Sequence, residues 1–328
     1  MAGSIGTRET RFLWSRIVRI VRFLCKGNAV LDIVRVAAVA ADTKPGAIER
    51  NLEVIDAWTA KAVAQGAQLV LFPELSLCGF IPNHPVGNHE DWLRRALAEA
   101  RRAAIGLKSR QVAALQAMAA RHGVFISTGI LEDAGNVMYN TQLLVGPEGL
   151  AGYWRKMHVP MFEMPFYNGG PGPRVFDTPL GRIGANICFD ALMPESTRLL
   201  AVQNVEIVLF PFAADPPSRT PAGWAQWASG ALSARCVENG VFGVACNYVG
   251  RVECAGVEQE FPGGGLIVSP RGEILAEWTS PAGESGLLLA DLKAADLQQA
   301  RGEVEYLFRF RRPELYGPLA EIGSEASD

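Results

Sequence analysis

Histidine is scarce in this chain, with four in 328 residues, and His84, His89, His122 and His158 form neither an HxxxH nor an HExxH arrangement. The six cysteines (Cys25, Cys78, Cys188, Cys236, Cys246 and Cys254) include no CxxC pair. Neither residue type has the spacing of a zinc site, so no metal cofactor is expected. Dispersed cysteines in a long chain point to reduced thiols in a cytoplasmic protein rather than to a disulfide scaffold. Excess charge is lacking too: 31 Lys and Arg against 34 Asp and Glu leave a formal net charge of −3, which offers no basic field to a nucleic acid. A run of about 18 uncharged apolar residues is also missing, which argues against a transmembrane helix.

What is present is an ordinary globular composition, 49% hydrophobic and 20% charged, enough to bury the core of one large domain or two modest ones. Residues 1–33 stand apart. Between positions 8 and 26, Arg8, Arg11, Arg16, Arg19, Arg22 and Lys26 interleave with Phe12, Leu13, Ile17, Ile20, Val21 and Leu24, a basic amphipathic helix pattern. Such an extension could be a targeting segment, a membrane-surface contact or an oligomer contact. It could equally be a stretch that packs on the domain or frays.

From about residue 34 to 278 the chain is written twice. Arg35–Ala41 (RVAAVAA) answers to Arg182–Cys188 (RIGANIC), and Leu69–Pro73 (LVLFP) to Ile207–Pro211 (IVLFP), all reading as buried strands. A helical stretch precedes each second strand, at Gly46–Gln65 and Pro194–Gln203. Another helix then ends at His122-Gly123-Val124-Phe125 in the first copy and Asn239-Gly240-Val241-Phe242 in the second, where each glycine suits a C-cap. Leu144–Gly149 (LVGPEG) and Ile267–Gly272 (IVSPRG) complete the copies as hairpin turns. Two βαβ-containing halves, each covering one face of its sheet with helices, predict an α/β fold arranged as a four-layer αββα sandwich. Pro73 to Gly123 is 50 residues and Pro211 to Gly240 is 29, so the first copy carries an insertion of 21 near residues 76–106. It begins at the C-terminal end of a strand, where open α/β sheets place their sites.

The copies differ at three positions that carry chemistry. Glu74 follows LFP where the second copy has Phe212, and Lys156 closes the first hairpin where the second has Thr279. Cys188 ends the strand that answers to the first strand of copy one. Each alone has a bland reading: a solvated strand-end acid, a solvated lysine, an inert core thiol. Together they fall at strand ends that could converge on one rim. An ammonium beside a thiol lowers its pKa, and a carboxylate can take its proton, which would make a nucleophile at neutral pH.

Around these positions the chain resembles the nitrilase (carbon-nitrogen hydrolase) superfamily over roughly residues 34–316, through Leu71–Phe80 (LFPELSLCGF), Tyr153–Pro160 (YWRKMHVP) and Gly184–Glu195 (GANICFDALMPE). The resemblance implies a catalytic domain at 34–316, a C-terminal tail at 317–328, a Glu74–Lys156–Cys188 triad and no cofactor. It further implies that Glu163 positions lysine and substrate, and that Ala234-Arg235, Glu238-Asn239, Asn247 and Arg312–Tyr316 are scaffold. A homo-oligomer, dimer or higher, is the expected assembly.

The mechanism so implied is attack of the Cys188 thiolate on a carbonyl or nitrile carbon, with Glu74 serving in turn as base and acid. The oxyanion of the tetrahedral intermediate would meet Lys156 and the backbone N–H of Phe189. After the nucleophile, Phe189-Asp190 departs from the Trp-Glu of true nitrilases, which favours the amidase or carbamoylase branch. The expected activity is therefore hydrolysis of a small amide or N-carbamoyl compound through a thioester. Hydrolysis of a small nitrile is the alternative within the family, acyl transfer to an amine would use the same thioester, and a non-catalytic binding scaffold is the alternative outside enzymes. Phe212, Trp224, Trp227 and Arg219 could line a pocket for an aromatic or anionic group, or simply pack the following helix.

Overall fold

The computed structural model describes residues 32–83, 89–215 and 220–321. The basic N-terminal pattern, His84, Pro85 and Arg219 lie outside the described residues.

The first half runs β1 (Ile33–Ala40), α1 (Ile48–Val63), β2 (Leu69–Leu71), α2 (His89–Ala103), α3 (Arg110–His122), β3 (Phe125–Asp133), β4 (Met138–Gly146) and β5 (Gly149–Arg155). Its helices start and stop for local reasons. α1 buries Leu52, Ile55 and Ala62 along one face, with Glu49 in its first turn and Lys61 in its last, charges that suit the helix dipole. α3 begins at Ser109, whose side chain accepts from the Val112 N–H, and ends at Gly123 with φ 66°.

The second half runs β6 (Phe176–Thr178), β7 (Gly181–Ala185), α4 (Pro194–Ala201), β8 (Ile207–Phe212), α5 (Pro221–Val237), β9 (Phe242–Asn247), β10 (Val249–Cys254), β11 (Val257–Pro262), β12 (Gly265–Val268) and β13 (Ile274–Trp278). β14 (Gly286–Lys293) and α6 (Ala294–Gly302) follow.

Two six-stranded sheets result, ordered β14-β1-β2-β3-β4-β5 and β13-β12-β9-β8-β7-β6. In each, the first three repeated strands are parallel and the hairpin strands antiparallel, as the internal repeat predicts. Three apolar layers define the sandwich. Val34, Val36 and Ala38 of β1 meet Leu209, Val244 and Ile267 between the sheets. The alternate residues Ala37 and Val39 face outward with Ile55, Val112 and Leu115 of the first helical layer. Val208 and Phe210 of β8 pack on Trp224, Ala228 and Leu232 of α5 on the other side. Strict alternation along buried strands makes one sheet serve two cores.

Three features go beyond the repeat. The chain returns after its second half to place β14 antiparallel to β1, from Ile33 opposite Lys293 to Ala40 opposite Gly286. β10 and β11 form a separate two-stranded arm. The insertion is mostly α2, which buries Trp92, Ala96 and Ala100. Beyond α6 the chain lies across the surface in short 3₁₀ turns that include Arg312–Tyr316, with Leu307, Phe310, Leu315 and Leu319 all more than half exposed. Among the described residues no helix is long and apolar enough to cross a membrane.

Candidate active site

Glu74 follows β2 in a turn that the third strand is shaped to receive. Leu75 has φ 54°, and a Cβ added to Gly129 of β3 would sit 2.0 Å from the Leu75 nitrogen. Only glycine admits that approach. The turn is pinned by Phe72 N–H to Ser127 O and Leu77 N–H to Gly129 O, both 2.8 Å. Glu74 is thereby fully buried, and each carboxylate oxygen is bonded. Oε1 accepts from Asn140 Nδ2 at 2.5 Å and from Lys156 Nζ at 2.7 Å, and Oε2 accepts from the Ala213 N–H at 2.9 Å.

Lys156 immediately follows β5, and its backbone is held on both sides by Asn140 O and Gly170 N–H. Its ammonium is fully buried between two carboxylates, donating at 2.7 Å to Glu74 Oε1 and at 2.7 Å to Glu163 Oε2. A buried charge persists only when so paired. Burial works against the lysine charge, but Glu163 and then Glu74 outweigh it and hold the ammonium well above its ordinary range. Burial pushes Glu163 up, against the pull of Lys156 and with the push of Glu74. Tyr167, itself raised well above its ordinary value by burial and then by these two carboxylates, hydrogen-bonds Glu163. Asn83 Nδ2 reaches Glu163 Oε1 at 3.4 Å.

Cys188 does not end a strand as the repeat suggested. β7 stops at Ala185, and Cys188 opens a 3₁₀ helix, Cys188–Leu192, with φ 47°, a left-handed conformation rare for a residue with a side chain. The turn is held by Asp190, 1% exposed, whose carboxylate accepts from the N–H groups of Ile187, Met157 and His158 and bonds His158 Nδ1 at 2.8 Å. Asp190 thus clips the lysine loop to the cysteine turn. Arg235 of α5 donates to Ala191 O and Leu192 O and braces the turn from behind.

The thiol sits within the fields of Glu74, Lys156 and Glu163, so all three expected site residues and Glu163 come together. The Ala213 N–H that bonds Glu74 also favours the charged form of the Cys188 sulfur. The expected lowering of the thiol pKa is only one part of the balance. Lys156 pulls it down, yet burial and the two carboxylates push it well above its ordinary value, so the thiol carries its proton at neutral pH until a base removes it.

Cys188 and Glu163 open onto a pocket of about 390 Å³ whose wall includes Phe189, Phe212, Trp224 and Trp227, with Asn83 and Gln259 at its polar side. Glu74 and Lys156 lie behind this surface, fully buried. Asn247 shapes the wall by bonding both the N–H and the C=O of Ala214. Among the described residues no three His, Cys, Asp or Glu side chains are grouped as metal ligands.

Several contributors escape a reading of the sequence. Asn140 and the Ala213 N–H complete the Glu74 carboxylate, Tyr167 and Asn83 complete Glu163, and Gln259 reaches the pocket from the β10–β11 arm, where its Oε1 accepts from the Asn83 N–H. The visible signal for Asn140 is the run Asn140-Thr141-Gln142 inside an otherwise apolar strand, since buried polar residues need partners.

Comparison with known proteins bears on family and fold. The carbon-nitrogen hydrolase family model matches residues 35–302. A nitrilase from Pyrococcus abyssi (strain GE5 / Orsay) is 30% identical over 285 residues, covering 87% of this chain and 99% of its own. A carbon-nitrogen hydrolase from Helicobacter pylori G27 superimposes with a TM-score of 0.74 at 20% identity, over 89% of this chain and 99% of that one. A mutant of the amidase from Nesterenkonia sp. AN1, which shows covalent addition of the acetamide moiety of fluoroacetamide at its active-site cysteine, matches with a TM-score of 0.66 at 25% identity, over 89% of this chain and 98% of its own. Sequence and fold together assign the chain to the carbon-nitrogen hydrolase family, the nitrilase superfamily.

Proposed function

We propose that this protein hydrolyses a small amide or N-carbamoyl compound, with Cys188 as nucleophile, Glu74 as general base and acid, and Lys156 as the charged oxyanion partner. The observation that carries the reading is the ion cluster of Glu74, Lys156 and Glu163 buried beside a pocket-lining cysteine in a left-handed turn. In the first step the Cys188 sulfur bonds the carbonyl carbon as its proton passes to Glu74, which suits a thiol protonated at rest. The carbonyl electrons move onto oxygen, where Lys156 and the Phe189 N–H, at the open end of the 3₁₀ helix, offset the charge. Such a donor is worth roughly 3 kcal/mol in the transition state.

The C–N bond then breaks as Glu74 returns the proton to the leaving nitrogen, freeing ammonia or an amine. Water, deprotonated by the same carboxylate, attacks the thioester, and Cys188 leaves to be reprotonated. Glu163 positions Lys156 through its 2.7 Å hydrogen bond. The acting domain spans 34–316, and self-association through the exposed apolar side chains of the C-terminal segment accompanies it.

A nitrile is the second reading, favoured by the 30% identity to a nitrilase. Asp190 bears little on the choice because it is spent on backbone N–H groups, which leaves Phe189 as the branch-specific residue that faces the pocket. The test combines Cys188→Ala with matched amide and nitrile pairs that share one side chain. Cys188→Ala is expected to fold normally and to lose all turnover, and wild type to favour the amide in kcat/KM. Turnover in Cys188→Ala would overturn the nucleophile assignment, and preference for the nitrile would overturn the branch.

A further inference from the structure

The pocket wall on the side of Phe212 is aromatic and rigid. Phe212, the last residue of β8, meets Trp224 edge-on at 6.1 Å and 77°, and Trp227 edge-on at 5.6 Å and 86°. The two indoles lie three residues apart on α5 and so share one helix face. Trp224 is backed by Gly264, where an added Cβ would sit 2.7 Å from Cε3 and Cζ3 of the indole, so the ring cannot swing away. The start of α5 is fixed by Thr220, whose hydroxyl accepts from the Gly223 N–H at 3.1 Å. Phe162 and Leu192, 41% and 39% exposed, add large apolar side chains to the lining of the same pocket as Cys188. Among the described lining residues the charged side chains are Glu163 and Asp215, with no lysine or arginine.

We infer that the acyl part of the substrate is an aromatic ring on a short tether, seated against Phe212 and Trp227 with its reacting carbonyl at Cys188. The inference rests on the hydrolase reading above and narrows its substrate. A volume of about 390 Å³ is ample for one ring, a one- or two-carbon tether and an amide, and is near the lower end of small-molecule sites. The edge-on packing of the wall leaves aromatic groups to offer faces or edges to an incoming ring, geometry that an aliphatic group of equal size cannot use. Burial of the ring should raise kcat/KM roughly tenfold to a hundredfold over a methyl group, and ring–ring geometry should add roughly twofold to tenfold over a saturated ring.

The experiment measures kcat/KM of the full chain for acetamide, phenylacetamide, 3-phenylpropionamide and cyclohexylacetamide, with the Cys188 thioester trapped by hydroxylamine as the hydroxamate. Expected is the order aryl amide, then cyclohexyl amide, then acetamide. In Trp227→Ala the ratio of phenylacetamide to acetamide should fall at least fivefold, and in Trp227→Phe it should largely recover. Equal kcat/KM for acetamide and phenylacetamide, with hydroxamate formed from both, overturns the aromatic inference and leaves the hydrolase reading standing. A kcat/KM for cyclohexylacetamide equal to or above that for phenylacetamide does the same. Hydroxamate from none of the compounds removes both.

Discussion

The two halves of this molecule reach the site with strands of one design and opposite chemistry. After β2 the first half places Glu74; at the same point the second half continues β8 into Phe212. After β5 the first half buries Lys156 completely, while the second exposes Thr279 after β13. Gly129 on β3 makes room for the Glu74 turn, whereas its counterpart on β9 is Cys246, fully buried, because no turn presses on it there. The first half thus supplies the charges, and the second the cysteine proposed as nucleophile and the aromatic wall. A duplicated scaffold lets strand ends diverge while the core that supports them stays the same.

The largest effect that would test this division is on turnover. Glu74→Gln should lower kcat by about 10²- to 10⁴-fold, whereas Phe212→Leu, at the matching strand end, should act mainly through KM for bulky substrates. If the phenylalanine variant loses kcat as steeply as the glutamine variant, the halves do not divide the work in this way.

Next comes stability. Lys156→Met leaves two carboxylates facing each other in the interior and should cost about 3–5 kcal/mol in urea unfolding. Thr279→Val should be silent within about 0.5 kcal/mol. The combination of Lys156→Met with Glu163→Gln should recover part of the loss, because one of the stranded charges is removed. Strict additivity of the two would contradict the pairing.

The smallest effect concerns His158 in the lysine loop. Its hydrogen bond to Asp190 raises its pKa against the opposing effect of burial, with Asp190 and Glu195 adding their charges, and Ser196 Oγ stands 3.4 Å from Nδ1. The folded protein therefore holds that proton more tightly than the unfolded chain. This stabilisation is complete below the ordinary value of 6.5 and is lost as pH rises through the higher folded value. The Tm advantage of wild type over His158→Gln should shrink between pH 5.5 and 8.5 by about 1–2 °C, modest because the ring is partly exposed. An advantage that grows with pH would mean the histidine acts in its neutral form.

Much of the architecture is legible in the sequence because buried strands are short apolar runs and their order is repeated: LVLFP and IVLFP become β2 and β8 at matching places in their sheets. The grouping of Glu74, Lys156 and Cys188 is legible because each departs from its counterpart in the other half. What stays hidden depends on close approach in space. No periodicity announces that Cys188 leaves its strand for a left-handed turn, or that β14 returns to pair with β1. The role of the Ala213 N–H belongs to a backbone group that no side-chain pattern encodes. Asp190 looks in sequence like a marker of substrate branch, and only its buried contacts make it a clip.

The hydrogen bond from Ala213 to Glu74 joins residues 139 apart and spans both sheets. Contacts of such sequence separation form late, since loop closure must precede them. While the first half folds alone, as it emerges first during synthesis, its acid and lysine have no thiol to activate. Until β8 docks, Cys188 is an ordinary cysteine. Alkylation of that one sulfur by a site-directed amide reagent therefore clocks the meeting of the two halves, and on the proposed mechanism an incompletely folded chain forms no thioester.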